Sequence, residues 1–373
     1  MRVAMIQSFL PSRGQGGVGH FAHQLAEGLA ARGHDVALFS LDPPLPGASY
    51  RTRTLGAEDG SDRRRWLEVL RFGFLVARQD FSGFDVVHAH GDSQWLRAGP
   101  PVLRTFHGSC LDEAIRARGL RTKGLFAVLY LMELISALRA DRCVGISRNS
   151  QERLPFRRMR IVSPGVDLAT FRPGSQKSPV PSVLFVGHRL RDRKRGDFLL
   201  KVFEETVLKD VPDAVLNMVW DESLPARGWL RQYARLSVPA LVDLYQQAWV
   251  FCLPSVYEGF GRPYIEAMAC GTAVVATRNP GAFEVLGEDG QWGVLASDHD
   301  FGRRIKALLT DAVERQRLER SGLERVRERY GLPSVIEAYE ELYESLLAQD
   351  RHRHRREAAA GAKPAGKRGP GNG

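Results

Sequence analysis

Cysteine is scarce in this chain: four in 373 residues (Cys110, Cys143, Cys252 and Cys270), with no CxxC pair and no Cys/His grid. That pattern excludes a disulfide scaffold. A chain this long can bury a core without staples, so the four read as reduced thiols. Long hydrophobic runs are also missing. The longest strongly apolar run, Gly124 to Met132, meets Glu133 well short of the ~20 residues a membrane span needs. The N-terminus reaches Pro11 too soon to hold a signal-peptide apolar region, so a cytoplasmic location is expected, with a peripheral position on the inner membrane face left open. Acidic residues are in deficit, 43 against 53 Lys and Arg, for a formal net charge of +10. The excess is local: the segment 350–373 carries seven basic and two acidic residues, and Ile115 to Arg160 carries eleven and three. The remainder is slightly acidic, which argues against a nucleic-acid binder coated in positive charge.

What is present is ordinary globular composition, 43% hydrophobic and 26% charged, at a length that suggests two domains. The first third alternates strand patterns (Arg2–Ser8, Asp35–Leu41, Phe84–His88, Val102–Phe106) with amphipathic helical ones (Val18–Arg32, Asp62–Arg78). A long helical stretch over Leu125–Leu138 precedes strands at Cys143–Ile146 and Arg160–Val162. This βα rhythm implies an α/β fold with a parallel sheet covered by helices. Arg172–Ser182 is proline-rich without periodicity and reads as an interdomain linker, after which the same alternation restarts. The expected organisation is a Rossmann-like domain over 1–172, a linker over 173–182, a second Rossmann-like domain over 183–330, a helix over 331–349 and a disordered basic tail over 350–373.

Two motifs compete for the chemistry. Gly14-Gln-Gly16-Gly17-Val-Gly19 satisfies GxGxxG after the first strand, and Asp42 ends the second, the outline of a dinucleotide-binding fingerprint. In that fingerprint the first glycine turns directly off the strand, whereas Leu10-Pro-Ser-Arg13 intervenes here. A glycine loop before a helix is the other reading, and a NAD-dependent oxidoreductase remains the alternative it would imply.

The second motif is Leu253-Pro-Ser-Val-Tyr-Glu258-Gly259-Phe260-Gly261-Arg-Pro-Tyr-Ile-Glu266-Ala-Met-Ala-Cys-Gly271. A strand ends at Leu253, a glycine-rich turn follows, and Pro263 suits the first turn of a helix. The N–H groups from Phe260 and Gly261 onward can face a phosphate, while Glu258 and Glu266 are acceptors suited to sugar and ribose hydroxyls. In the preceding βα unit, the strand Val183–Val186 runs into a loop holding Arg189 and Lys194, cations suited to a diphosphate. Arg191, Arg193 and Arg195 in the same loop read as solvated.

At these residues the sequence resembles glycosyltransferase family 4, the retaining nucleotide-sugar transferases of the GT-B fold. The resemblance runs to about Leu347 and includes Gly16-Gly17, Thr105-Phe-His107-Gly108, Ser163-Pro-Gly165-Val-Asp167, Arg189 with Lys194, and Glu258 with Glu266. It implies two Rossmann-like domains facing across a cleft, with the C-terminal helix crossing back onto the first. It implies that Arg189 and Lys194 bind the donor diphosphate, that Glu258 holds the donor sugar and Glu266 the ribose, and that Gly16 and Gly17 admit the phosphates. His107 would face sugar and acceptor. The implied partners are a nucleoside diphosphate sugar and a saccharide or lipid-linked acceptor, with no cofactor, no metal and no specific nucleic acid. A same-fold epimerase or synthase is the nearest alternative. Arg262 departs from the family pattern, where that position is usually apolar.

Two further features are ambiguous. His88, His90 and His107 have no carboxylate or cysteine to complete a metal site and read as cleft-lining or core residues. Asp298-His-Asp300 precedes a helix and reads as a cap rather than a metal clamp. The basic cluster Arg116–Lys123 beside Leu125–Met132, within the positive stretch 115–160, reads either as a core helix with solvated arginines or as a surface for an anionic membrane.

Overall fold

The structure, a computed structural model, describes all residues except 12–16, 57–64, 98, 118, 156–157, 188–191, 235 and 362–373. The N-terminal half runs β1 (Arg2–Ile6), α1 (Gly17–Ala31), β2 (Asp35–Ser40), β3 (Arg51–Thr54), α2 (Arg65–Ala77), β4 (Val86–Ala89), β5 (Val102–Phe106), α3 (Cys110–Arg116), α4 (Leu120–Arg139), β6 (Arg142–Gly145), α5 (Arg148–Arg153) and β7 (Arg160–Ile161). Its strands form one seven-stranded sheet in the order β3-β2-β1-β4-β5-β6-β7, every pairing parallel. The central strand β1 is apolar from Val3 to Ile6 because helices cover both faces of the sheet, so Val3, Ala4, Met5 and Ile6 are all fully buried.

The second half runs β8 (Ser182–Val186), then α6 (Gly196–Val202), which passes through a π-helical turn (Phe203–Val207) into α7 (Leu208–Asp210). There follow β9 (Val215–Val219), β10 (Leu230–Tyr233), α8 (Val238–Gln247), β11 (Val250–Leu253), α9 (Arg262–Ala269), β12 (Ala273–Thr277), α10 (Pro280–Leu286), β13 (Val294–Ala296), α11 (Phe301–Thr310), α12 (Ala312–Arg329) and α13 (Leu332–Gly361). The six strands are again all parallel, in the order β10-β9-β8-β11-β12-β13. Each sheet therefore reverses its strand order beside its first strand, between β1 and β4 and between β8 and β11. Ligands of open parallel sheets bind beyond the carboxyl ends of the strands at such a reversal.

The polypeptide returns to its first half at the end. Val335, Ile336, Tyr339, Leu342, Tyr343 and Leu346 of α13 belong to the same buried cluster as Val3, Met5, Phe21 and Leu25. Gly28 makes the α1–α13 approach possible, since a Cβ there would collide with the Ile336 side chain. Two sequence expectations need correcting. The helix expected over 331–349 continues to Gly361, so 350–361 is helical rather than disordered; its Arg, Glu and Ala residues are good helix formers. Residues 362–373 lie outside the described residues.

Candidate active site

A cavity of about 700 Å³ lies where the carboxyl ends of the two sheets face each other. Gly17, His107, Lys194, Glu258, Gly259, Phe260, Gly261 and Glu266 all line it. Gly16 and Arg189, expected in the same place, lie outside the described residues. That volume is in the range of small-molecule sites.

On the C-terminal side, the loop after β11 is braced from below. Ser255 Oγ donates to Glu258 Oε1 at 2.9 Å, and the Ser255 carbonyl accepts from Thr277 Oγ1 at 2.6 Å and Asn279 Nδ2 at 3.2 Å. The Glu258 carbonyl accepts the Gly281 N–H at 2.9 Å, so the first turn of α10 fixes the loop as well. Gly261 caps α9 at φ +88°, and any side chain there would also strike the Tyr264 ring, so glycine is the residue that fits. Within α9, Glu266 accepts from Tyr245 Oη at 3.2 Å and pairs with Arg262 Nη2 at 3.5 Å. After β8, the chain turns through Asp192–Lys194, and Lys194 Nζ folds back to donate to the Val186 carbonyl at 3.1 Å. Lys194 is buried, a cation held at the strand end.

Arg193 was expected to be solvated. It lines the cavity instead, and its Nη1 donates across the cleft to Glu113 Oε1 of α3 at 3.1 Å. Arg195 donates through both Nη1 and Nη2 to Asp298 at 2.7 Å. The neighbouring Asp300 stands at the cap position of α11, but its carboxyl accepts from Ser297 and Arg303 rather than from the helix backbone.

The N-terminal wall is built from α1 and the ends of β4 and β5. His90 Nδ1 and His107 Nε2 are 3.0 Å apart, and both rings meet the Phe21 ring edge-on. Burial, then Arg104 and Arg262, lower the His107 pKa to about 3, which leaves a neutral ring at pH 7. His88 lies deeper, hydrogen-bonded to Tyr343 Oη at 2.6 Å and Thr105 Oγ1 at 2.8 Å, which makes it a core residue tying α13 to the sheet. The same wall holds Asp92, which burial raises to about 6 against the pull of Arg104, and Glu133, which burial also raises. Sequence reading passed over Asp92, although its place just beyond β4 at the strand reversal was a signal. Arg104 gave none, being a charged residue inside a strand.

The two walls are stitched together. Tyr257 Oη donates to Asp112 Oδ2 of α3 at 3.0 Å and accepts from Asn149 Nδ2 of α5 at 2.9 Å, while Arg262 Nη2 donates to Gln24 Oε1 of α1 at 3.1 Å. The assembled cavity thus offers cations, backbone N–H groups and carboxylate acceptors from the second domain. From the first it adds neutral imidazoles and further carboxylates. That combination suits an anionic, polyhydroxylated ligand held between two domains.

Comparison with known proteins agrees. Residues 15–170 match the family described as Glycosyltransferase Family 4, and residues 180–311 match Glycosyl transferases group 1. The D-inositol 3-phosphate glycosyltransferase of Nocardia farcinica is 29% identical over 408 residues, spanning 93% of this chain and 88% of that protein. Among solved structures, sucrose-phosphate synthase from Thermosynechococcus elongatus superposes with a TM-score of 0.78 at 23% identity, covering 93% of this chain and 99% of that one. Anabaena Alr3699/HepE in complex with UDP and glucose gives 0.70 at 15% identity, covering 92% and 100%. With the matching domain in each half and the two facing sheets between them, the chain belongs to the group 1/family 4 glycosyltransferases and has their GT-B fold.

Proposed function

We propose that this glycosyltransferase moves a hexosyl unit from a nucleoside diphosphate sugar to an acceptor hydroxyl, with retention of configuration and without a metal ion. The observation that carries this is the convergence of Lys194, the α9 N-terminus, Glu258 and Glu266 on one cavity at the strand ends of both domains. Lys194 and the N–H groups from Phe260 onward take the diphosphate and stabilise the charge that grows as it leaves. Arg189 joins them in this assignment. Glu258 accepts from the sugar hydroxyls and Glu266 from the ribose. The acceptor hydroxyl approaches from the His107 side, on the face the diphosphate leaves. Its oxygen bonds to the anomeric carbon as the bond to phosphate breaks, and its proton passes to the departing phosphate oxygen. Neutral His107 orients these groups and need not take the proton.

UDP-sugars are the first donors to try, because the structurally similar Anabaena protein binds UDP-glucose. The relatives' name puts a phosphorylated cyclitol beside simple saccharides and lipid-linked ones in the acceptor panel. Glu266→Ala is expected to weaken nucleotide binding, and Lys194→Ala to lower turnover by a hundredfold or so, on the scale of a lost electrostatic donor. Steady-state kinetics and nucleotide titration check both. Full activity in both variants would refute the assigned site. Product analysis separates transfer from epimerisation or synthase chemistry on the same fold.

The acceptor side also supports peripheral membrane docking in the service of cell-envelope glycan or glycolipid synthesis. Among the described residues no helix is long and apolar enough to cross a membrane. Yet α4 exposes Leu120, Val128, Leu131, Ile135 and Leu138 alongside Arg121, Lys123 and Arg139, an apolar stripe with a basic rim. A chain ending at Gln349 should float with anionic vesicles at physiological salt, and Leu131→Asp with Leu138→Asp should release it. No flotation of the unmutated truncated chain would sink this reading.

A further inference from the structure

We propose that Arg262 is a diphosphate-binding residue of the donor site, a cation that the second domain presents directly against the first. The inference rests on the donor-site reading above and adds a contact it did not contain. Arg262 opens α9 and lines the cavity, its side chain largely covered. Its Nη2 is engaged by Gln24 of the first domain at 3.1 Å and by Glu266 at 3.5 Å. Its Nε and Nη1 are buried and have no hydrogen-bond partner among the described residues.

A guanidinium that served only to tie the domains would not leave those donors bare, because each unmade hydrogen bond of a buried polar group is costly, and more so for a charged one. The position says what completes them. The Arg262 side chain runs beneath Gly17 at the start of α1, close enough that a Cβ on Gly17 would touch its Cδ at 3.8 Å. It therefore stands between the opening of α1 in one domain and the turn Gly259–Gly261 in the other, and both line the cavity. The ligand chemistry that accepts from helix-opening amides and from a planar guanidinium fork together is a phosphate or diphosphate. Glu266 offsets part of the Arg262 charge; a diphosphate would take the Nε and Nη1 edge while Nη2 keeps its present partners. Burial first, and then Arg262 among the nearby charges, holds His20 and His107 in their neutral forms, so the Arg262 charge reaches that side of the cavity.

The test compares ligands that differ only in phosphate. The full chain is titrated with UDP, GDP, ADP and dTDP, each beside its nucleoside, in unmutated form and as Arg262→Leu, Arg262→Lys and Gln24→Ala. Arg262→Leu is expected to lose about tenfold or more in affinity for the diphosphate that binds best, the loss of a charge-assisted hydrogen bond. Affinity for the matching nucleoside should stay unchanged. Arg262→Lys should recover part of the loss, and Gln24→Ala should keep diphosphate affinity because it removes only the tie between domains. Arg262→Gln decides in the same way should the leucine variant not fold. Diphosphate affinity unchanged by loss of Arg262, or nucleoside affinity falling equally, overturns the proposal. Lys194→Ala and Glu266→Ala run alongside: if they too bind the diphosphate like the unmutated chain, the donor-site reading itself has failed, not this addition to it.

Discussion

His107 illustrates how a single side chain is set by burial and by nearby charges, one of which, Arg262, lies far from it in the sequence. Its pKa of about 3 comes from burial first and from Arg104 and Arg262 after that, against an ordinary value of 6.5. Below pH 6.5 the unfolded chain binds a proton there that the folded protein refuses. Stability is thus unaffected by this group above about pH 6.5 and falls as pH drops from there toward 3, by up to about 1.4 kcal/mol per pH unit. His88 and His90, lowered for the same reason, add to the slope. Thermal unfolding at pH 7.5 and pH 5 should show a smaller acid loss for His107→Gln than for the unmutated protein. An equal loss would mean the ring is not held neutral. Glu258 and Glu266 could be picked out from sequence because strand, turn and helix follow one another within twenty residues, so local spacing placed both at one glycine-rich turn that lines the cavity. Arg193 and Arg262 could not be so placed, since their partners Glu113 and Gln24 sit in the other domain.

Short elements decide how the two walls meet. The seven residues of α3 start with Ser109 Oγ accepting the Leu111 N–H at 3.1 Å, and α3 buries Asp112 completely. Burial alone would raise the Asp112 pKa, but hydrogen bonds from Arg153, Asn149, Arg116 and Tyr257 overcome it and lower the pKa to about 2. Tyr257 adjoins Glu258, so the hydrogen bond to Asp112 ties the turn after β11 to the first domain. Tyr257→Phe removes one donor from that buried carboxylate and should cost roughly 1–3 kcal/mol of stability. It should also raise the donor KM, because the turn loses its brace. Urea unfolding and donor kinetics check the two effects, and unchanged values in both would show the contact to be idle. Neither α3 nor the six-residue α5 is long enough to display a helical period, and Gly-Ser-Cys before Leu111 gave no clear start. The edge strand β3, Arg-Thr-Arg-Thr, was missed because it carries no apolar residue; its pairing with β2 is what makes it a strand. The central strands and long helices were legible because they carry their own periodicity or continuous apolar runs.

At the scale of the molecule, the cavity exists because two sheets of like topology point their strand ends at one another, and because α13 closes the arrangement. That helix begins after the second domain and packs Tyr339 and Tyr343 into the core of the first, where Tyr343 meets His88. The chain's positive charge does not define the site. The basic stretch 115–160 lies mainly on α4 to β7, and the other excess lies beyond residue 349. The α/β alternation, the break near residue 173 and the strand–turn–helix motif around Glu258 and Glu266 were determined by sequence alone, because each depends on residues close enough along the chain to impose their own pattern. The extension of α13 to Gly361, the neutrality of His107, the paired state of Arg193 and the lack of a partner for Arg262 Nε and Nη1 among the described residues were decided only by the tertiary structure. Each depends on burial or on a partner that folding brings across the cleft, and neither is a property of local sequence.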